Sequence, residues 1–136
     1  MDKKKVLFLC THNSSRSQMA EGIMNQFLGD RYQASSAGTQ VTEVNSFAKE
    51  AMKEIGVDIG SHYSKHLDEF KDKDFDHVVT VCDSANENCP VNIFRCNHIH
   101  KGFDDPTAFK GNYKEKLNFF KDTGIEIKDW ILTSFD

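Results

Sequence analysis

The run Val6-Leu7-Phe8-Leu9, closed by Cys10, constrains this chain more than any other segment. Four consecutive apolar residues, without alternation, describe a strand buried on both faces, the habit of a parallel sheet covered by helices. The next segment is Cys10-Thr11-His12-Asn13-Ser14-Ser15-Arg16-Ser17, with the spacing C-x5-R-S, and Gln18-Met19-Ala20-Glu21-Gly22 then takes up a helical pattern. A strand, a short loop of small polar residues and a helix N-terminus make a cradle for a tetrahedral oxyanion. Backbone N–H groups and the positive end of the helix dipole point into it. A thiol at the mouth of that loop feels the same positive field, which favours the thiolate. One segment therefore supplies an anion site and a nucleophile.

The rest of the chain alternates strands and helices. Lys4 to Cys10 is the first strand, and Ser17 to Leu28 carries an apolar stripe of helical period that Gly29 stops. Tyr32 to Ala37 reads as a strand closed by Gly38, and Asn45 to Ile55 as a helix capped by Asn45 and ended by Gly56. Ser61 to Asp76 reads as loop with a short helix, His77 to Cys82 as a β-branched strand, Asp83 to Phe94 mainly as loop and Asn97 to His100 as a weaker strand. Thr107 to Phe120 and Ile127 to Phe135 read as two closing helices with Gly124 between them. This order predicts a single α/β domain spanning residues 1–136 around a parallel sheet. Such sheets bind ligands at the carboxyl ends of their strands, which puts Cys10, Cys82 and Asp105 at one edge.

Within the loop, the planar fork of Arg16 suits two oxyanion oxygens at once. Asn13 tolerates the backbone angles that a tight anion loop demands, and the Ser17 hydroxyl, at the start of the helix, can donate to a Cys10 thiolate. Thr11, His12, Asn13, Ser14, Ser15, Arg16 and Ser17 together form the predicted oxyanion-binding segment. Asp105, stiffened by Pro106, can act as a general acid on a departing oxygen, the plainer reading being a solvated Asp-Pro turn. Cys82 and Cys89 are separated by six residues rich in Asp and Asn. One reading makes them a thiol relay that takes over an adduct on Cys10 by thiol–disulfide exchange. The other makes Cys82 a small buried hydrophobe and Cys89 an incidental loop thiol. A zinc site from Cys82, Cys89, Cys96 and His98 or His100 lacks C-x2-C spacing, so no metal is expected.

Composition limits the classes of function. The chain has 136 residues and a net charge of -4, from 17 basic and 21 acidic side chains, which argues against a nucleic-acid surface. No apolar stretch approaches the roughly 20 residues that cross a bilayer. Met1 to Lys5 leads into too few apolar residues for a secretory signal, so a cytoplasmic location is the expectation, with the four cysteines catalytic, redox-active or metal-binding rather than structural disulfides.

Taken together these residues resemble the thioredoxin-coupled arsenate reductases, which share the low-molecular-weight protein tyrosine phosphatase fold. The resemblance runs through the Cys10 loop with Ser17-Gln18-Met19-Ala20-Glu21-Gly22, through Ser36-Ala37-Gly38 and through Ala51-Met52-Lys53-Glu54. It continues in Val79-Thr80-Val81-Cys82, Asn88-Cys89-Pro90 and Gly102-Phe103-Asp104-Asp105-Pro106. It implies a three-layer αβα fold with a four-stranded parallel sheet. It implies that Cys10 attacks arsenate, that Arg16 and the loop N–H groups bind the oxygens, and that Asp105 protonates the departing oxygen. It also implies that Cys82 and then Cys89 carry the disulfide outward to thioredoxin, with no bound cofactor, no nucleic acid, no membrane and a monomeric chain.

Departures from the family pattern are His12 in place of Gly, Ser15 in place of Cys, and Lys65 in place of an Asp. Some members bind potassium through residues matching Asn13, Glu21, Ser36 and that Asp. The Lys65 ammonium can occupy the cation's place, so no potassium site is expected in this chain. A tyrosine phosphatase using Cys10, Arg16 and Asp105 is the main alternative. Thr107-Ala108 stands where those phosphatases carry aromatic residues, and phosphate should still compete for the cradle. A glutathione- and glutaredoxin-coupled reductase, and a non-catalytic thiol protein binding arsenite or a metal, are the others.

Overall fold

The computed structural model describes residues 2–81, 94 and 96–135. Four parallel strands form one sheet: β1 (Lys4–Cys10), β2 (Tyr32–Gly38), β3 (His77–Thr80) and β4 (Asn97–His100), in the order β2-β1-β3-β4. Three described helices accompany it: α1 (Arg16–Phe27), α2 (Ser46–Glu54) and α3 (Tyr113–Ser134). The α/β class, the parallel sheet and the central position of β1 agree with the sequence.

The continuous apolar run of β1 has a direct cause in packing. Val6, Phe8 and Cys10 face a core built with Met19, Ile23, Met52, Phe120 and Ile127 of the three helices. Leu7 and Leu9 face a second core with Val78, Leu67, Phe70 and Phe94. Both faces of the strand are covered, so neither alternate set of positions is polar. Val6, Leu7, Phe8 and Leu9 are fully buried, each worth about 1.5–3 kcal/mol of hydrophobic transfer.

Helix ends follow local capping chemistry. The Asn45 side chain accepts from the N–H groups of Phe47 (2.8 Å) and Ala48 (3.3 Å) and so starts α2 as expected. Asn112 and Glu115 form a reciprocal capping box at the start of α3.

The two expected C-terminal helices are instead one. Residues 107–112 do not begin it; Pro106–Ala108 is a separate short 3-10 turn, and α3 runs unbroken from Tyr113 through Gly124 to Ser134. Gly124 is buried where α3 crosses α2, and a Cβ there would stand 2.3 Å from Met52 Cε. The glycine permits close helix approach rather than ending a helix. Other boundaries shift by a residue or more: α1 begins at Arg16, one residue before Ser17, and the β3 ladder stops at Thr80 rather than Cys82.

Candidate active site

The C-terminal end of β1 delivers Cys10, which is buried, to the edge of the sheet next to Gly38 of β2. The loop from Thr11 to Ser15 then turns into α1. Its carbonyls are spoken for by the surrounding structure. Thr11 O accepts from the N–H groups of Thr39 and Gln40, both at 2.9 Å. His12 O accepts from Ser64 Oγ at 2.9 Å, Asn13 O from Gln18 Nε2 at 3.1 Å, and Ser14 O from Asn45 N at 2.9 Å. In a planar trans peptide, the N–H of the next residue points opposite to the carbonyl. Four consecutive carbonyls held by the scaffold therefore turn the N–H groups of His12 to Ser15 away from those partners, as an anion nest requires.

Asn13 is the pivot of this loop. Its φ of 52° is the only positive value at a non-glycine among the described residues. Its side chain makes three bonds of 2.8 Å: Nδ2 donates to Ser17 Oγ, while Oδ1 accepts from Gln18 Nε2 and from the Lys65 N–H. The left-handed backbone expected at Asn13 is present and is held in place by these bonds. Ser17, expected to serve Cys10, receives a hydrogen bond from Asn13. Gly38 closes the loop from behind. A Cβ at that position would come within 2.5 Å of Thr11 O, 2.6 Å of Cys10 O and 2.9 Å of Asn13 N, all backbone atoms that cannot step aside.

Arg16 opens α1 and reaches across the edge of the sheet. Its Nη1 donates to Phe103 O at 3.0 Å, and its Nη2 lies 3.6 Å from Asp105 Oδ2. Two buried polar atoms at this spot, Arg16 Nε and Ser15 Oγ, have no hydrogen-bond partner among the described residues. Buried polar atoms are normally paired, and leaving one unpaired costs about 1–3 kcal/mol. The unpaired Arg16 Nε is a donor that an oxyanion seated in the loop would satisfy. Asp105 caps the 3-10 turn, its Oδ1 accepting from Thr107 N (2.9 Å) and Thr107 Oγ1 (2.7 Å). That leaves Oδ2 toward Arg16, so the two residues singled out in the sequence at opposite ends of the chain meet at one site.

Cys82 and Cys89 lie outside the described residues. The chain leading to Cys82 does not: Val81 N donates to Leu9 O at 2.9 Å, which sets Val81 alongside the end of β1. Phe103 N in turn donates to Val81 O at 3.1 Å, so the segments before Cys82 and before Asp105 converge on the Cys10 edge. Cys96 is elsewhere, packed against the second core.

Residues 5–116 match the family model described as low molecular weight phosphotyrosine protein phosphatase. The chain belongs to that family. Within it, the relatives include a Bacillus subtilis protein named arsenate reductase, 42% identical over 93% of this chain and 91% of its own length. A solved structure titled an arsenate reductase in the phosphate binding state superimposes with a TM-score of 0.78, at 28% identity over 96% of this chain and 95% of the other. A low molecular weight protein tyrosine phosphatase from T. tengcongensis superimposes with a TM-score of 0.74, at 29% identity over 95% of both chains.

Sequence reading did not identify several residues that build this family's loop here. Gln18 was visible only as part of a helix, yet its amide bonds Asn13 twice and also donates to Tyr63 O at 2.9 Å. His62 belongs to no short motif in the sequence. Its Nδ1 lies 3.0 Å from Gln18 Oε1 and its Nε2 lies 3.5 Å from Glu21 Oε2. Burial pushes the His62 imidazole below its ordinary value, and Lys65 adds to that while Glu21 and Asp58 oppose it. Ser64 and Asn45 hold loop carbonyls across 52 and 31 positions of sequence respectively, separations at which no short motif can signal them.

Proposed function

We propose that this chain reduces arsenate to arsenite, with Cys10, Cys82 and Cys89 as the thiols and thioredoxin as the reductant. The arsenate-reductase names of its relatives support the activity. The observation that carries the mechanism is the meeting of the Cys10 loop with the strand that leads to Cys82, through Val81 N and Leu9 O.

In the first step the Cys10 thiolate attacks arsenic held by the loop N–H groups and Arg16. A proton from Asp105 reaches the departing oxygen, water leaves, and a sulfur–arsenic(V) bond remains. Repulsion between thiolate and arsenate is offset by the guanidinium and the aligned N–H dipoles. The Cys82 thiolate then attacks Cys10 Sγ. A disulfide forms, the electron pair of the sulfur–arsenic bond passes to arsenic, and arsenite departs. Attack by Cys89 on Cys82 releases Cys10 and yields a Cys82–Cys89 disulfide, which a thioredoxin dithiol reduces.

A phosphatase reading uses the same cradle, Arg16 and Asp105 with water as the second nucleophile. Against it, Thr107 and Ala108, which directly follow the Asp105-Pro106 turn, are small and exposed rather than aromatic. The test is arsenate-dependent NADPH consumption with thioredoxin and thioredoxin reductase, beside hydrolysis of p-nitrophenyl phosphate. The proposal expects turnover on arsenate that Cys89→Ser abolishes, and only slow ester hydrolysis inhibited by phosphate. Fast ester hydrolysis without arsenate turnover assigns the chain to the phosphatases. Turnover with glutathione and glutaredoxin alone removes thioredoxin from the scheme.

A further inference from the structure

Beside the Cys10 loop lies a largely covered polar cluster made from α1, the end of β2 and the segment 62–65. Its centre is the Glu21 carboxylate. Ser36 Oγ donates to Glu21 Oε1 at 2.6 Å, Lys65 Nζ lies 3.6 Å from the same oxygen, and His62 Nε2 faces the other at 3.5 Å. The Lys65 ammonium also donates to Tyr63 O at 3.0 Å and lies 4.7 Å from the centre of the Tyr63 ring, which screens it from water. The Lys65 side chain is only 9% exposed.

The backbone of Lys65 is tied to the loop as well. Its N–H donates to Asn13 Oδ1 at 2.8 Å, and its carbonyl accepts from Gly38 N at 2.8 Å. One residue therefore bridges the left-handed pivot of the loop, the glycine behind it and the carboxylate below. A metal cation does not fit among Asn13, Glu21 and Ser36 in this chain. Any ion bound to Glu21 Oε1 would meet the ammonium already paired with that oxygen, and the two positive charges would repel in a poorly solvated setting.

We propose that Lys65 is an internal cation that positions the oxyanion loop, so that this chain works without the potassium ion that a carboxylate at position 65 would call for. Lys65 neutralises Glu21, Glu21 fixes Ser36 at the end of β2, and the Lys65 backbone holds Asn13 at its positive φ. Lys65 touches no reacting atom; it acts through Asn13 and is a positioning residue. The inference rests on the loop geometry and not on the arsenate chemistry.

The experiment compares thermal melting and calorimetric binding of inorganic phosphate for the full chain, Lys65→Met and Lys65→Asp, in potassium and in sodium chloride at equal ionic strength. The parent should melt and bind identically in the two salts. Lys65→Met strands a largely covered carboxylate, so it should melt on the order of 10 °C lower and bind phosphate roughly tenfold more weakly in both salts. Lys65→Asp should be equally impaired in sodium and recover selectively in potassium, a response that loss of packing alone does not produce. A parent stabilised selectively by potassium overturns the proposal, and so does Lys65→Met that binds phosphate as tightly as the parent. If neither variant folds, the salt comparison on the parent decides. A parent that binds neither phosphate nor arsenate sinks the oxyanion reading, while the melting comparison still judges Lys65.

Discussion

Arg16 Nη1 donates to the carbonyl of Phe103 at 3.0 Å, and Phe103 stands two residues before Asp105. This bond, together with the 3.6 Å approach of Arg16 Nη2 to Asp105, ties the Asp105 turn to the Cys10 loop. The guanidinium is thus oriented by the protein itself, and its buried Nε has no hydrogen-bond partner among the described residues. Arg16→Lys keeps the charge but lacks the fork, so it cannot hold Phe103 O and two anion oxygens together. Its kcat/KM for arsenate should fall by about 10²–10³ with little change in melting temperature. A drop below tenfold means that the charge alone matters.

Gly38→Ala alters no side chain with a chemical role. Its new Cβ would press on Thr11 O, Cys10 O and Asn13 N. Relief requires the loop itself to move, and positional errors of this kind cost about 10²-fold when they reach the reacting atoms. Steady-state kinetics should show at least roughly a tenfold loss in kcat/KM. Retention of full activity means that the loop has slack absent from this geometry.

Stability should depend on pH through His62. Burial lowers the folded-state pKa below the ordinary 6.5, so the unfolded chain takes up this proton first as pH falls. Unfolding is then favoured: stability rises with pH between the folded value and 6.5 and is flat for this group above it. The groups that set the shift, besides burial, are Lys65, Glu21 and Asp58. Urea midpoints at about pH 5.5 and about pH 7.5 should differ in the parent, and the difference should shrink in His62→Gln. An unchanged difference removes His62 as its source.

Cys96 should be chemically quiet. Burial pushes its thiol up, Asp76 pushes further, and the Val78 backbone only partly offsets them. It therefore stays protonated near neutrality and should alkylate slowly with iodoacetamide. Cys96→Ala should keep arsenate turnover within about twofold, as expected of a packing residue. A larger loss would bring Cys96 into the thiol chemistry.

The fold was legible where local chemistry and tertiary packing agree. The unbroken apolar run of β1 reports its two covered faces, Asn45 reports its cap, and Asn13 reports its backbone. Gly124 misled because a glycine that ends a helix and one that admits a neighbouring helix look alike in sequence; Met52, which decides between them, is on another helix. In the site, Cys10, Arg16 and Asp105 could be named from motif and chemistry. The scaffold of the loop could not: Gln18, His62 and Ser64 act through bonds to residues distant in sequence or through ordinary side-chain amides, and none forms a spacing of its own.

The thiol relay is tested most directly by a single turnover of Cys89→Ser with arsenate, quenched by alkylation and read by mass spectrometry. Without Cys89 the sequence should stop after arsenite release, with Cys10 and Cys82 joined in a disulfide and protected from alkylation. Arsenite formed while Cys10 and Cys82 both remain open to alkylation would contradict the account.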